Sequence, residues 1–452
     1  MKNIVKKGKF FLLLFIATSA YGQSIKKLND PSIVAQHKRM TYESWGDWRP
    51  YPKYFLGIQT NFAYATVWGM WAPSINRDYK NGKDIRPLKP NGEQNLRLAQ
   101  LKFQEEEAKK ANEEHFSKHD PAEPLYTESE VDAVIPKFRV VEKDLDVKLD
   151  DGISFKFFYA SHILGACSIE LTIDGKVLVF SGDIGQDDDV LMFPPQKPKK
   201  ADYVFLESTY GNRLHPQTNA LLELETIINN TFNKGGTVVI PSFAVERVQT
   251  MMYLIWQLKK EERIPNIPYI IDTPMGISVL DVFKDNRNWH KLSFEDCDEM
   301  CKVFTLISDY KDSMNAVYDK RPKVVIAASG MITGGRVLSY LERLIDKPET
   351  TVTLVGYQAE GTRGRKLLEG AQEIKIYGNY YPVAANILLI ESLSAHGDQK
   401  DLLNWLSELE TKPKKVFLVH GENEAADELR LKIQEQYGFD AQVPFLGQVI
   451  EI

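Results

Sequence analysis

The sequence predicts a mixed α/β protein, and three observations carry that expectation. Apolar runs of strand length, rich in Val and Ile, recur from Tyr203 onward and alternate with helical periods. Upstream of them, two Asp-Gly pairs, Asp151-Gly152 and Asp174-Gly175, separate alternating segments. The later runs end in Gly, Ser, His or acidic residues. Continuous apolar strands suit sheets covered on both faces, and in such sheets ligands collect at the carboxyl ends of the strands. Function is therefore to be sought at those ends.

In chain order, DVKLDDGISFKFFYA and CSIELTIDGKVLVFSGD read as successive hairpins of a small antiparallel sheet, each turned by its Asp-Gly pair. Strand YVFLEST follows, then a helix around Leu221 to Phe232, strand GTVVIPSF and a helix from Glu246 to Leu258. PYIIDTP, KVVIAASG, TVTLVGY, ILLIESL and KKVFLVHG read as further buried strands. No internal repeat or low-complexity tract interrupts them.

The first part of the chain is different. Residues 1–23, MKNIVKKGKFFLLLFIATSAYGQ, place Lys2, Lys6, Lys7 and Lys9 before an apolar run, Phe10 to Ala17, that ends in small residues. This is the layout of a secretory signal peptide, with cleavage expected near Gly22. The run is too short for a transmembrane helix, which takes roughly 20 apolar residues, and no later segment is long enough to span a bilayer. The expectation is export to the periplasm or the medium, or a cytoplasmic location if the N-terminus is a fusion or a sequence artefact. Residues 24–95 hold Trp45, Trp48, Trp68 and Trp71, four of the seven tryptophans, among tyrosines and prolines. They read as an aromatic-rich exported module of short strands and turns with no legible chemistry. Residues 96–127 form a charged linking helix closed by Pro121 and Pro124, and Val131 to Val141 a short amphipathic helix.

With 452 residues, 43% of them hydrophobic, the chain can bury a large core in about two or three domains. A net charge of −6 excludes a molecule-wide attraction for nucleic acid, so any polyanion needs a local basic cleft. Three cysteines make no disulfide framework, and Cys297 with Cys301 lacks the second pair of a zinc ribbon, so all three read as packing residues.

Six strand ends carry polar or glycine-rich clusters. SHILGA contains His162, FSGD Asp183, LESTYG Glu207, ASGMITGGR Ser329 and Arg336, LSAHGD His396 and Asp398, and LVHGE His420 and Glu422. HFSKHD puts His115 and His119 at i and i+4, but Pro121 follows at once and the segment reads as a helix end. Taken in order, together with PLYT (Pro124 to Thr127), PSFAVERVQ (Pro241 to Gln249), DTPMG (Asp272 to Gly276) and GYQAEGTRGR (Gly356 to Arg365), the clusters resemble the metallo-β-lactamase fold. Specifically, they resemble its β-CASP branch of zinc-dependent ribonucleases, from about Glu106 to Ile452.

That resemblance implies an αβ/βα sandwich, N-terminally incomplete, made of residues 128–212 and 386–452, with an inserted α/β β-CASP cap domain of residues 213–385. RNA would lie in the cleft between the two α/β domains, and a homo-oligomer is left open. In the family two zinc ions activate a water for in-line attack on a phosphodiester. His162, Asp183 and His420 match metal ligands, with Asp183 at the bridging position. Glu207 matches a carboxylate that orients His396, the general acid. Ser329, Gly334, Gly335, Arg336, Arg247, Arg363 and Arg365 match RNA-binding positions, where guanidinium forks and close amides meet phosphates.

The resemblance also implies an H-x-H-x-D-H segment well upstream of SHILGA that supplies most of the metal ligands. Only His37, His115 and His119 precede His162, and none lies in that pattern. The expectation is therefore a metal-dependent RNA hydrolase with weak or absent zinc binding and strongly reduced hydrolysis. The alternatives are a catalytically silent RNA-binding or partner module, or an exported structural protein. Absence of the upstream strands is also expected to leave apolar surface and an open strand edge on one sheet of the sandwich, so that either the aromatic module covers the gap or the domain is unstable alone.

Overall fold

A computed structural model describes residues 141–445 and 448–450, with positions 109, 112–113 and 121–123. The signal segment, the aromatic module, most of the linking helix with His115 and His119, PLYT and residues 131–140 lie outside the described residues.

The strands and helices run β1 (Val147–Asp150), β2 (Ile153–Tyr159), β3 (Cys167–Ile173), β4 (Lys176–Phe180), β5 (Tyr203–Glu207), α1 (Ala220–Asn233), β6 (Thr237–Pro241), α2 (Arg247–Lys260), β7 (Tyr269–Asp272) and α3 (Pro274–Asp285). They continue with α4 (Phe294–Lys302), β8 (Thr305–Leu306), α5 (Tyr310–Tyr318), β9 (Lys323–Ala327), α6 (Val337–Leu344), β10 (Thr351–Leu354), α7 (Arg363–Leu368), β11 (Glu373–Ile376) and β12 (Asn379–Pro382). Last come β13 (Asn386–Leu389), α8 (Gln399–Trp405), β14 (Lys415–Val419), α9 (Asn423–Tyr437) and β15 (Ala441–Gln442).

The two Asp-Gly pairs turn the hairpins β1–β2 and β3–β4 as expected, with Gly152 and Gly175 at positive φ. The sheet they enter is larger than the small antiparallel one the sequence suggests. It has seven strands in the order β1-β2-β3-β4-β5-β14-β15, antiparallel through β4 and parallel from β4 to β15. Local turn chemistry fixes hairpins, but the pairing of β5 with β14 joins residues about two hundred positions apart and leaves no local signal.

The second sheet has six strands, β13-β10-β6-β9-β7-β8, and every pairing in it is parallel. Each residue of β6, β9, β7 and β10 is buried, as continuous apolar runs require. Alternation along β6 divides the packing. Val238 and Ile240 join Leu224, Ile228, Val248 and Met251 from α1 and α2, whereas Val239 joins Val337 and Leu341 from α6 on the other face.

The first sheet packs one face against α8 and α9, where Val204, Leu206, Val416 and Leu418 meet Trp405, Leu429 and Ile433. Its other face carries Phe155, Leu171, Leu178, Phe205 and Phe417, with Phe180 stacked on Phe205 at 4.5 Å and Phe205 on Phe417 at 5.0 Å. Among the described residues no helix contributes a side chain to this second cluster.

Candidate metal centre and cap loops

Five of the sequence-predicted residues meet at the carboxyl ends of the first sheet. His162 leads the tight turn between β2 and β3, held by the bonds Ala160 N–H to Ala166 O at 3.1 Å and Ala166 N–H to Ile163 O at 2.9 Å. Asp183 lies in the loop after β4. Two residues on, a Cβ at Gly185 would stand 2.3 Å from the His162 nitrogen, so glycine is what lets this loop press against the histidine turn. Glu207 ends β5, His396 precedes α8, and His420 follows β14 with φ at +54°. A Cβ at Gly421 would stand 2.4 Å from the Ser208 carbonyl oxygen, so the His420 loop lies directly on the LEST loop.

The distances define a compact cluster. His420 Nε2 lies 3.3 Å from Asp183 Oδ1, and His162 Nε2 lies 3.7 Å from Asp183 Oδ2. His396 Nδ1 is bonded to Glu207 Oε1 at 2.9 Å, and the His162 and His396 rings are 4.4 Å apart. Glu207 is 1% exposed and fully engaged: Oε1 also accepts the Ile184 N–H at 2.7 Å, and Oε2 the Thr209 N–H at 3.2 Å. This carboxylate is fixed by backbone on two sides and aims one ring. Nδ1 of His162, Nδ1 of His420 and Oδ1 of Asp183 are buried with no hydrogen-bond partner.

Charge follows from the packing. Burial alone would raise the Asp183 carboxyl, but the facing imidazoles of His420, His162 and His396 hold it below its ordinary value. Burial, reinforced by His396, lowers the His162 imidazole to about 4, so it is a neutral lone-pair donor. Burial opposes the charge on His396 too, yet the Glu207 charge and hydrogen bond outweigh it and raise that imidazole.

Among the described residues, the three donors grouped closely enough to hold a metal are His162, Asp183 and His396, whose ligand atoms lie within 4.8 Å of one another. Sequence matching grouped His420 with the first two; in the fold His396 takes that place, and His420 contacts the set through Asp183. The donor chemistry, imidazole and carboxylate with orphaned buried atoms, fits zinc.

The residues matched to RNA binding sit on other loops, mostly at the strand ends of the second sheet. Ser329 Oγ accepts the Thr333 N–H at 3.0 Å and the Gly334 N–H at 3.3 Å, closing a loop that Gly335 leaves at φ +81°. The arginines all have internal partners. Arg247 is 3% exposed and lies 3.1 Å from Glu246, whose carboxyl burial pushes up to about 7 against the pull of that guanidinium. Arg336 pairs with buried Asp272 and donates to Ser308 O at 2.6 Å. Arg363 donates to the carbonyls of Lys375, Ile332 and Thr333, and Arg365 pairs with Glu369 at 2.8 Å.

Several supporting contacts could not be read from the sequence, although Asp272, Tyr357 and Glu422 fall in motifs it singles out. His215, 6% exposed, bonds the His396 carbonyl through Nε2 at 2.9 Å and meets the Tyr210 ring at 4.6 Å. Asp272 accepts from Ser313 at 2.6 Å and Tyr340 at 2.7 Å as well as from Arg336. Tyr357 donates to Glu422 across the two sheets at 2.5 Å. A lone histidine or tyrosine in a loop looks like any other, and only the fold shows what it touches.

Comparison with known proteins agrees with this arrangement. The Beta-Casp domain family matches residues 248–367, and the Zn-dependent metallo-hydrolase RNA specificity domain matches residues 380–444. An RNase J-like protein of Methanocaldococcus jannaschii is 32% identical over 332 residues, which cover 72% of this chain and 77% of the relative. The chain belongs to the β-CASP metallo-β-lactamase ribonuclease family. Within the β-CASP proteins it is also similar to Ribonuclease TTHA0252 of Thermus thermophilus, 31% identical over 67% of this chain and 70% of that one. Transcription termination factor FttA of Methanosarcina mazei is 28% identical over 63% of this chain, and the match spans 47% of FttA. The Beta-Casp match covers four strands of the six-stranded sheet, β7 to β10, with helices α2 to α7, and the RNA specificity match begins within β12 and runs through the loops of His396 and His420.

Proposed function

We propose that this β-CASP protein is a metal-dependent RNA phosphodiester hydrolase whose activity is reduced by a lean ligand set. The observation that carries the reading is the convergence of His162, Asp183, Glu207, His396 and His420 in one cluster, in which His162, His420 and Asp183 each keep a buried polar atom with no hydrogen-bond partner. Buried polar atoms without partners are costly, and a site that keeps several suits a cation. Bound by His162, Asp183 and His420, zinc would supply Lewis acidity toward a phosphoryl oxygen and a lowered water pKa.

The remaining chemistry belongs to the chain. Glu207 holds Nδ1 of His396 and raises its basicity, which leaves Nε2 as the nitrogen that delivers a proton to a departing oxygen. His215 and the Asp398 cap of α8 fix the backbone of that loop. In this reading residues 128–212 and 386–452 are the catalytic body, residues 213–385 the cap, and RNA lies between them. Support comes from the place of the Ser329 to Gly335 loop at the carboxyl end of β9 and from the matched RNA specificity domain.

The purified full-length chain tests this directly. Zinc is expected at fewer than two ions per chain, with slow RNA cleavage that a chelator abolishes. Absence of bound metal together with absence of zinc- or manganese-stimulated cleavage overturns the enzyme reading and leaves an RNA-binding module.

A further inference from the structure

The loop Gly356 to Arg365 touches both sides of the site. Toward the Ser329 loop, the Gln358 amide donates to Gly330 O at 3.1 Å, the Gly364 N–H to Met331 O at 3.1 Å, and Arg363 to Ile332 O and Thr333 O. Toward the metal centre, the Tyr357 hydroxyl donates to Glu422 Oε1, and Arg365 Nη1 lies 4.0 Å from the same oxygen.

Glu422 occupies the N-cap position of α9, yet its side chain makes no capping bond. Its carboxylate turns to Tyr357 instead. Only Gly421 separates it from His420, whose carbonyl accepts from Thr209 Oγ1 at 3.0 Å, so the His420 loop is pinned on both flanks. The ring of half-buried Tyr357 also meets Tyr210 edge-on at 5.6 Å, and Tyr210 lies 6.4 Å from His396.

We propose that Tyr357 and Glu422 are positioning residues for RNA hydrolysis. Their hydrogen bond clasps the loop of His420 to the loops that bind phosphate, and so sets where a phosphodiester held by the cap meets the metal-ligand cluster. The proposal rests on the hydrolase reading above. Neither residue touches the reacting atoms, so breaking the clasp slows turnover more than it weakens binding.

The test uses the full-length chain with Tyr357→Phe, Glu422→Ala, Glu422→Gln and the double variant Y357F/E422A. Hydrogen exchange is read by mass spectrometry at residues 356–365 and 420–423, and RNA cleavage as kcat and KM. Tyr357→Phe keeps the ring against Tyr210, so the fold is retained. It is expected to speed exchange in both segments and to lower kcat about tenfold, the scale of one charge-assisted hydrogen bond. KM is expected to stay within about twofold, as for an interaction that acts after binding. Glu422→Ala should match it, the double variant should be no slower than either single, and Glu422→Gln, which keeps an acceptor, should fall between Glu422→Ala and wild type. Exchange that rises only in residues 356–365, losses that multiply in the double variant, or a raised KM with unchanged kcat each overturn the clasp. A wild-type chain that cleaves no RNA overturns the hydrolase reading alone, and the exchange result at residues 420–423 still decides whether the clasp exists.

Discussion

His396 stands where two roles meet. A ring that donates Nδ1–H to a buried carboxylate suits a metal ligand, because the carboxylate fixes the tautomer and leaves Nε2 as a lone pair. The same carboxylate suits a general acid, because its charge and hydrogen bond raise the imidazole above its ordinary value against the effect of burial. His162 has no carboxylate on Nδ1, and burial pushes its imidazole down to about 4, which suits a neutral ligand. With the roles divided as proposed, Asp183→Ala is expected to lose zinc and cleavage together. His396→Ala should keep zinc and lose about 10²- to 10⁴-fold in cleavage, as expected for removal of a general acid. Metal content by mass spectrometry beside single-turnover cleavage checks this. Equal zinc loss in the two variants would make His396 a ligand, as its closeness to His162 and Asp183 also allows.

At the scale of elements, the first sheet shows how a strand-end site depends on the packing beneath it. Glu207 ends β5 and His420 follows β14, and these adjacent parallel strands carry Phe205 and Phe417 on the face away from α8 and α9. Phe205 is 2% exposed and stacks between Phe180 and Phe417. Truncating it should leave a cavity directly below the site. Phe205→Ala is expected to cost about 3–5 kcal/mol in urea denaturation, the usual scale for a buried aromatic. A loss below about 1 kcal/mol would show that this face contributes little packing. The element pattern was largely legible beforehand. Asp-Gly turns announced β1–β2 and β3–β4, and unbroken apolar runs announced β6, β9 and β10, because both signals are local. The helices α3 to α9, the two-residue strands β8 and β15 and the hairpin β11–β12 were not located.

For the molecule as a whole, charge governs how RNA can be held. A net charge of −6 leaves no general attraction for a polyanion, and the four matched arginines already have internal partners. If all four were released to phosphates, the slope of log affinity against log salt for single-stranded RNA would be about −3. The expected slope, measured by filter binding or anisotropy, is shallower than that. A steeper one would place phosphate contacts elsewhere on the chain.

What the sequence determined by itself was chemical identity and local form. His162, Asp183, Glu207, His396 and His420 were singled out because strand-end polar clusters in a fixed order are written along the chain, and turn and strand signals act over a few residues. Their convergence was decided by tertiary structure, since β5 and β14 become neighbours only through a crossover of about two hundred residues. The same holds for Tyr357 with Glu422, for His215 under His396, and for the internal pairing of every matched arginine. Composition states that an arginine is present. Only the fold states which carboxylate or carbonyl faces it, because hydrogen bonds and desolvation depend on distance in space and not on spacing in sequence.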